Sequence, residues 1–100
     1  MMFVKAARTS ALKPGEGKVI TANGIQIALF NVGGAFYALD NTCSHRGGPL
    51  GDGMLSKNVV TCPWHGWQYD ITTGQCLTTA GIILKRFPTK VEGDDVLVDV

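Results

Sequence analysis

Short apolar runs separated by turn residues recur along the whole chain, and this pattern limits the folds open to it. The clearest case is Asn23-Gly24, which lies between Lys18–Ala22 and Ile25–Asn31. A tight two-residue hairpin turn needs positive φ at both residues, and Asn and Gly tolerate that geometry best. The sequence therefore predicts an antiparallel hairpin here. No segment shows a convincing helical period.

The same pattern predicts the other strands and an all-β, antiparallel β-sandwich. Ile25–Asn31 is apolar on both faces, so we expect this strand to lie between two layers. Pro88 has no N–H to donate, so it predicts an edge or a bulge in the strand that contains it. The further expected strands are Ala35–Asp40, Asn58–Thr61, Gln68–Ile71, Gln75–Thr78, Leu84–Glu92 and Asp95–Val100.

The stretch Arg46–Lys57 contains four glycines and Pro49 and is expected to be a long structured loop. Loops of this length are usually functional. The chain has 100 residues and shows no repeat or linker, so we expect one domain over residues 1–100, with a loop-built lobe at approximately residues 41–74.

Charge and cysteine content narrow the possible partners and the compartment. The formal net charge is +1 and no basic run occurs, so we expect neither a nucleic-acid nor a membrane partner. Met1–Arg8 is interrupted by Lys5 and Arg8 before it reaches the length of a signal-peptide core, and no run of apolar residues is long enough to span a bilayer. Three cysteines do not form a disulfide framework, which favours a cytoplasmic location.

Two short segments carry the chemistry: Cys43-Ser44-His45 and Cys62-Pro63-Trp64-His65. Each follows a predicted strand and offers one thiolate and one imidazole. These ligands suit zinc, copper or iron–sulfur centres rather than calcium or magnesium. Glycine follows both segments, at Gly47-Gly48 and Gly66, and glycine tolerates the backbone angles of a chain wrapped around an inorganic group. We therefore predict a metal centre held by Cys43, His45, Cys62 and His65.

Zinc in a structural Cys2His2 site is the main alternative. Zinc fingers usually separate their first pair of ligands by two to four residues, whereas Cys43 and His45 are separated by one. Cys76 lies on a predicted strand without a neighbouring ligand residue, so we interpret it as a small buried apolar residue. Trp64 and Trp67 are expected to shield the centre from water.

The segments CSHRGGPL and CPWHGWQYD, with the closing strands FPTKVEGDDVLVDV, resemble the Rieske family, including the ferredoxins of bacterial aromatic ring-hydroxylating dioxygenase systems. The resemblance implies the Rieske-type sandwich and one 2Fe-2S cluster per chain. It implies that Cys43 and Cys62 bind the buried iron, and that His45 and His65 bind the outer iron. Two thiolates and two neutral imidazoles leave an oxidised cluster uncharged, which favours electron uptake compared with four thiolates.

The chain differs from the high-potential members of that family. Those members carry an extra cysteine in each segment, joined as a disulfide, and Gly48 and Trp64 stand at these positions here. Trp67 stands where those members have a serine that bonds a bridging sulfur. Tyr69 matches a tyrosine that bonds a cysteine sulfur, and Ala80-Gly81-Ile82 lacks a proline that often covers the cluster. The resemblance thus implies a low potential.

The resemblance implies a non-enzymatic electron carrier between a flavin-dependent ferredoxin reductase and a terminal non-haem iron oxygenase. A catalytic facial-triad iron needs two histidines and a carboxylate, and the cluster would use both histidines of this chain. No G-x-G-x-x-G motif is present to bind a dinucleotide. The small Rieske-like subunit of a nitrite reductase and a redox-sensing module are alternatives.

Overall fold

The computed structural model describes residues 2–43, 48–64 and 66–100. Within these ranges the protein consists of β-strands and two single-turn 3-10 helices, Thr9–Ala11 and Leu50–Asp52. The strands are β1 (Phe3–Arg8), β2 (Gly17–Ala22), β3 (Ile25–Val32), β4 (Ala35–Asp40), β5 (Met54–Ser56), β6 (Val59–Thr61), β7 (Gln68–Asp70), β8 (Arg86–Phe87), β9 (Thr89–Glu92) and β10 (Asp95–Asp99).

The strands form three antiparallel sheets, which confirms the predicted all-β class. One sheet has the order β1-β10-β9 and a second has the order β2-β3-β4-β8. The third sheet, β5-β6-β7, is inserted in the chain between β4 and β8. It therefore falls within residues 41–74, where the metal-binding lobe is expected.

The predicted hairpin forms between β2 and β3. Ala22 pairs with Ile25 across the turn, and Asn23 and Gly24 have φ of 52° and 76°. These positive angles are those of a type I′ turn, whose twist matches that of the strands on either side.

Strand β3 lies between two separate hydrophobic cores, as its two apolar faces predict. Ala28 and Phe30 face one core, which also contains Cys43, Cys62 and Tyr69. Ile27 and Leu29 alternate with them and face the other core, which β10 closes with Val96 and Val98. Because successive side chains of a strand point to opposite faces, one strand supports both layers.

The predicted strand Gln75–Thr78 is wrong. Gln75 and Cys76 form single bridges, to Ile83 and to Tyr69, and no ladder continues beyond them. The reason lies at Thr78, whose side-chain hydroxyl accepts the N–H of Gln68 at 3.0 Å. When a side chain accepts a backbone N–H in place of a carbonyl of the neighbouring strand, the ladder of backbone hydrogen bonds ends there.

Two other expectations need correction. Arg46–Lys57 is not all loop, because its described part contains the 3-10 helix Leu50–Asp52 and strand β5. The segment Leu84–Glu92 is not one strand, because Pro88 separates β8 from β9, which pair in different sheets. Both strands are sheet edges, which agrees with the position that Pro88 predicts.

Strand β1, Phe3–Arg8, was not among the expected strands. It pairs with β10, and its register slips between Lys5 and Ala7. It carries no turn signal of the kind that identified the other strands, and only its distant partner makes it a strand.

Candidate metal centre

The first cysteine segment follows β4. Backbone hydrogen bonds pair the residues at its start, 41–43, with residues 48–50 after it. The N–H of Leu50 donates to the carbonyl of Asn41 at 2.8 Å, and Thr42 bridges Pro49. The N–H of Cys43 then donates to the carbonyl of Gly48 at 3.0 Å. These bonds fix the position of Cys43, which is 1% exposed, at the end of a short antiparallel ladder.

The buried side chain of Asn41 supports the same loop, and the sequence interpretation did not single it out. Its Oδ1 accepts the N–H of Gly51 at 2.8 Å, while its backbone carbonyl accepts from Leu50. Asn at the end of a strand, two residues before a candidate ligand, is the signal that could have identified it, because Asn side chains often replace backbone partners at turns.

The second cysteine segment follows β6 and is closed in the same way. The N–H of Cys62 donates to the carbonyl of Trp67 at 2.7 Å. In each segment, therefore, the cysteine N–H bonds the carbonyl five residues further on, at Gly48 in the first and Trp67 in the second. Gly66 has a φ of 77°, which confirms the expected need for glycine after the second segment.

The two cysteine side chains meet inside the core. The thiols of Cys43 and Cys62 lie close enough to interact, although the residues are far apart in sequence. Burial raises the pKa of Cys62 above its ordinary value of 9.0, the backbone N–H of Trp64 opposes this rise, and the neighbouring Cys43 adds to it. Ionising both thiols at this position is costly unless a cation compensates the charge.

Tyr69 provides a polar contact to this pair. Its hydroxyl lies 3.3 Å from the Sγ of Cys43, and both residues are buried. The family resemblance predicts that this tyrosine bonds a cysteine sulfur, and the distance agrees with that prediction. When the sulfur is a thiolate it has no proton to give, so the hydroxyl is then the donor.

His45 and His65 lie outside the described residues, as do Ser44, Arg46 and Gly47. Of the four predicted ligands, the structure therefore describes the two cysteines, and it brings these two together. All three cysteines of the chain are buried and none forms a disulfide, and Cys76 belongs to the same core as Cys43 and Cys62.

The two tryptophans differ in exposure. Trp67 is partly buried and packs against the core that contains the cysteines, whereas Trp64 is 49% exposed. Trp67 is thus placed to exclude water from the core, as expected. About half of the Trp64 surface is therefore covered by the protein, and the rest faces solvent.

The donors around Cys43 and Cys62 fit one side of a 2Fe-2S cluster. Two soft sulfur ligands converge, a hydroxyl approaches one sulfur, and the backbone N–H of Trp64 bonds the other. Donors to sulfur stabilise the negative charge of an iron–sulfur centre and adjust its potential. In the parts of the chain that the structure describes, no helix could cross a membrane.

Comparison with known proteins identifies the same chemistry. The family model described as the Rieske [2Fe-2S] domain matches residues 2–88. The 3-phenylpropionate/cinnamic acid dioxygenase ferredoxin subunit of Shigella flexneri serotype 5b (strain 8401) is 41% identical over 102 residues, which cover 100% of this chain and 95% of that protein. The biphenyl 2,3-dioxygenase ferredoxin component of Rhodococcus jostii (strain RHA1) is 37% identical over 101 residues, which cover 100% and 94%.

The solved structures agree with these relatives. A complex of reduced oxygenase and oxidised ferredoxin in carbazole 1,9a-dioxygenase contains a chain that superposes with a TM-score of 0.87 at 29% identity. The match covers 97% of this chain and 92% of that one. The likeness thus spans nearly all of both chains.

Proposed function

Because the chain belongs to the Rieske [2Fe-2S] domain family, we propose that it is the ferredoxin component of a ring-hydroxylating dioxygenase system. In this role it carries single electrons from a flavin-dependent ferredoxin reductase to a terminal non-haem iron oxygenase. It catalyses no reaction by itself. The observation that carries the proposal is the meeting of the two buried thiols of Cys43 and Cys62.

We propose that Cys43 and Cys62 hold the buried iron and that His45 and His65 hold the outer iron. The bound cluster supplies a one-electron redox couple. Around it, Tyr69 and the N–H of Trp64 donate to sulfur, and burial of both cysteines excludes water. If they hold the outer iron, the two histidines would be the groups through which an electron passes to a partner.

The domain and its location are part of the same proposal. Residues 1–100 form one domain, and its metal-binding lobe spans approximately residues 41–74, a range that includes both cysteines and Tyr69. A cytoplasmic location is supported by the three cysteines, none of which forms a disulfide.

The partners are supported by the relatives and by one solved complex. The two relatives are named as ferredoxin components of dioxygenases, and the carbazole structure is named as a complex of oxygenase with ferredoxin. The aromatic substrate of the oxygenase is a property of that partner rather than of this chain.

Iron analysis and spectroscopy test the cluster. Protein purified without oxygen should be reddish-brown and contain about two iron and two acid-labile sulfide ions per chain. Reduction should give the low-g electron paramagnetic resonance signal of a Rieske centre. A colourless protein that contains zinc instead would contradict the proposal.

Variants test the ligands, and rapid mixing tests the carrier role. Alanine at Cys43, His45, Cys62 or His65 should abolish the cluster, while alanine at Cys76 should leave it in place. A flavin-dependent reductase with NADH should reduce the protein, and a Rieske oxygenase of the biphenyl type should reoxidise it. Failure to exchange electrons with either partner, with the cluster intact, would contradict the carrier role.

A further inference from the structure

Gly48, which follows the first cysteine segment, lies close against Trp64 of the second. A Cβ built on Gly48 would lie 2.9 Å from Cγ of Trp64 and 3.0 Å from its Cβ. It would also lie 3.0 Å from Sγ of Cys62. Because no side chain fits into this space, glycine is what allows the first segment to lie so close to the indole and the sulfur.

The backbone of Gly48 is not strained. The crowding around its Cβ position is therefore what explains why a glycine stands there. Gly48 is buried and does not have positive φ, so an alanine there could adopt the same backbone conformation. Other crowded glycines lie elsewhere in the fold. A Cβ on Gly17, for example, would lie 2.7 Å from the ring of Phe30. Gly17 therefore offers a control with similar crowding, because the atoms nearest to its Cβ position belong to Phe30 and Gly51 rather than to a cysteine or to Trp64.

Trp64 contacts the site through both its backbone and its side chain. Its backbone N–H approaches the sulfur of Cys62, and its side chain begins against Gly48, while 49% of the residue remains exposed. The indole thus lies between the Gly48 backbone on one side and solvent on the other. Removal of this side chain would open a path for water to Cys62 and would leave the two segments without their Gly48–Trp64 contact.

We propose that the Gly48–Trp64 contact holds the two cysteine segments together and controls how firmly the protein retains its metal. Trp64 is in this sense a positioning residue, which acts through Cys62 rather than on the electron itself. The inference rests on the proposed function, because it concerns the centre that Cys43 and Cys62 are proposed to hold.

The decisive measurement is the rate at which cluster-loaded protein loses iron to an excess of an iron chelator. Trp64→Ala and Gly48→Ala should each lose iron about tenfold faster, the change that corresponds to about 1.4 kcal/mol. Trp64→Phe keeps the Cβ and Cγ that contact Gly48, so its rate should stay near that of the wild type. Gly17→Ala should lower the unfolding temperature without changing the rate of iron loss.

The reduction potential distinguishes positioning from a general loss of stability. Water that reaches Cys62 stabilises the additional negative charge of the reduced state, so Trp64→Ala and Gly48→Ala should shift the potential to more positive values. Gly17→Ala should leave the potential unchanged. The double variant Gly48→Ala/Trp64→Ala should lose iron more slowly than the product of the two single effects predicts, because both changes break one contact.

Clear outcomes would overturn the inference. Iron loss from Trp64→Ala at the wild-type rate would do so, as would equal acceleration in Trp64→Phe and Trp64→Ala. If Trp64→Ala does not take up the cluster, the comparison of Gly48→Ala with Gly17→Ala decides, and equal rates would reject the inference. The wild type separates the two proposals: if it holds no iron–sulfur cluster, the proposed function fails first.

Discussion

The hydroxyl of Tyr69 lies 3.3 Å from the sulfur of Cys43, and the fold holds this contact from both sides. Tyr69 is the central residue of β7, where it pairs with Val60 of β6 and bridges Cys76 on its other side. Its side chain is completely buried. The hydroxyl is thus aimed by a sheet rather than by a mobile loop, which gives a fixed donor at a ligand sulfur.

Replacement of Tyr69 by phenylalanine should lower the reduction potential. The hydroxyl stabilises the reduced state more than the oxidised state, because reduction adds negative charge to the sulfur ligands. A difference of about 1 kcal/mol corresponds to roughly 40 mV for one electron. Protein-film voltammetry measures the shift, and Tyr37→Phe serves as the control, since Tyr37 packs at the margin of the same core. An unchanged potential in Tyr69→Phe would show that the hydroxyl does not bond the ligand sulfur.

Asp70 should stabilise the fold in a manner that depends on pH. The hydroxyl of Thr72 donates to its Oδ1 at 2.6 Å, and the Thr72 N–H does so at 2.9 Å. The Thr72 hydroxyl is the main cause that lowers the Asp70 pKa below 3.8, although burial opposes it. A pKa that is lower in the folded state gives stability above the unfolded-state pKa, and this stability is lost as the pH falls through the folded value.

Asp70→Asn should therefore unfold more easily at neutral pH, by about 1 kcal/mol, and the difference from the wild type should shrink as the pH falls below the unfolded-state pKa of the carboxyl. Urea unfolding of the metal-free protein from about pH 7 to about pH 3 measures this without release of the cluster. Asp94→Asn, at a side chain that is 82% exposed, is the control. A constant difference at every pH would show that the charge of Asp70 is not the cause.

The sequence predicts the architecture well where a pattern is local, and less well where a distant partner decides. Asn23-Gly24 identifies its own hairpin, and the two apolar faces of β3 reveal that it lies between layers. Strand β1 carries no such mark, because it becomes a strand only by pairing with β10 at the other end of the chain. Gln75–Thr78 has the composition of a strand, yet the Thr78 hydroxyl replaces the ladder.

In the candidate site, too, local patterns could be predicted from the sequence, whereas contacts between distant residues could not. Residue type and spacing predict both cysteines as ligands, and the structure brings their sulfurs together, which no spacing rule could establish. The contact between Gly48 and Trp64 could not be predicted, because it depends on how closely two loops approach. Asn41 was likewise missed, since its role depends on the position of the Gly51 N–H.

Cys76 should stabilise the fold without binding the metal. It is 2% exposed, and its sulfur accepts the N–H of Thr79 at 3.4 Å. Cys76→Ala would leave this N–H without its acceptor and should lower the free energy of unfolding by about 1–2 kcal/mol. Iron and sulfide content should equal that of the wild type, whereas Cys62→Ala should lose both. Loss of iron from Cys76→Ala in a protein that remains folded would contradict its assignment.

Cysteines placed at positions 48 and 64 should form a disulfide between the two segments. The Cβ positions of Gly48 and Trp64 lie 3.0 Å apart, and disulfides need about 3.5–4.5 Å, so a small separation of the loops suffices. The disulfide would close a loop of roughly 15 residues. For a loop of this length we expect the free energy of unfolding to rise by about 3 kcal/mol. Gly48→Cys/Trp64→Cys, oxidised with its cluster bound, should lose two hydrogens by mass spectrometry and unfold at a higher temperature than after reduction.

The single variants Gly48→Cys and Trp64→Cys are the controls for this crosslink, because each introduces one thiol without a designed partner. Cys62 is the competing partner, since its sulfur lies 3.0 Å from the Cβ position of Gly48. When iron holds Cys62 as a thiolate ligand, we expect the new pair to react with each other instead. A crosslink from position 48 to Cys62 in the loaded protein, found by peptide mapping, would show that Cys62 is not occupied by metal and would contradict its assignment as a ligand.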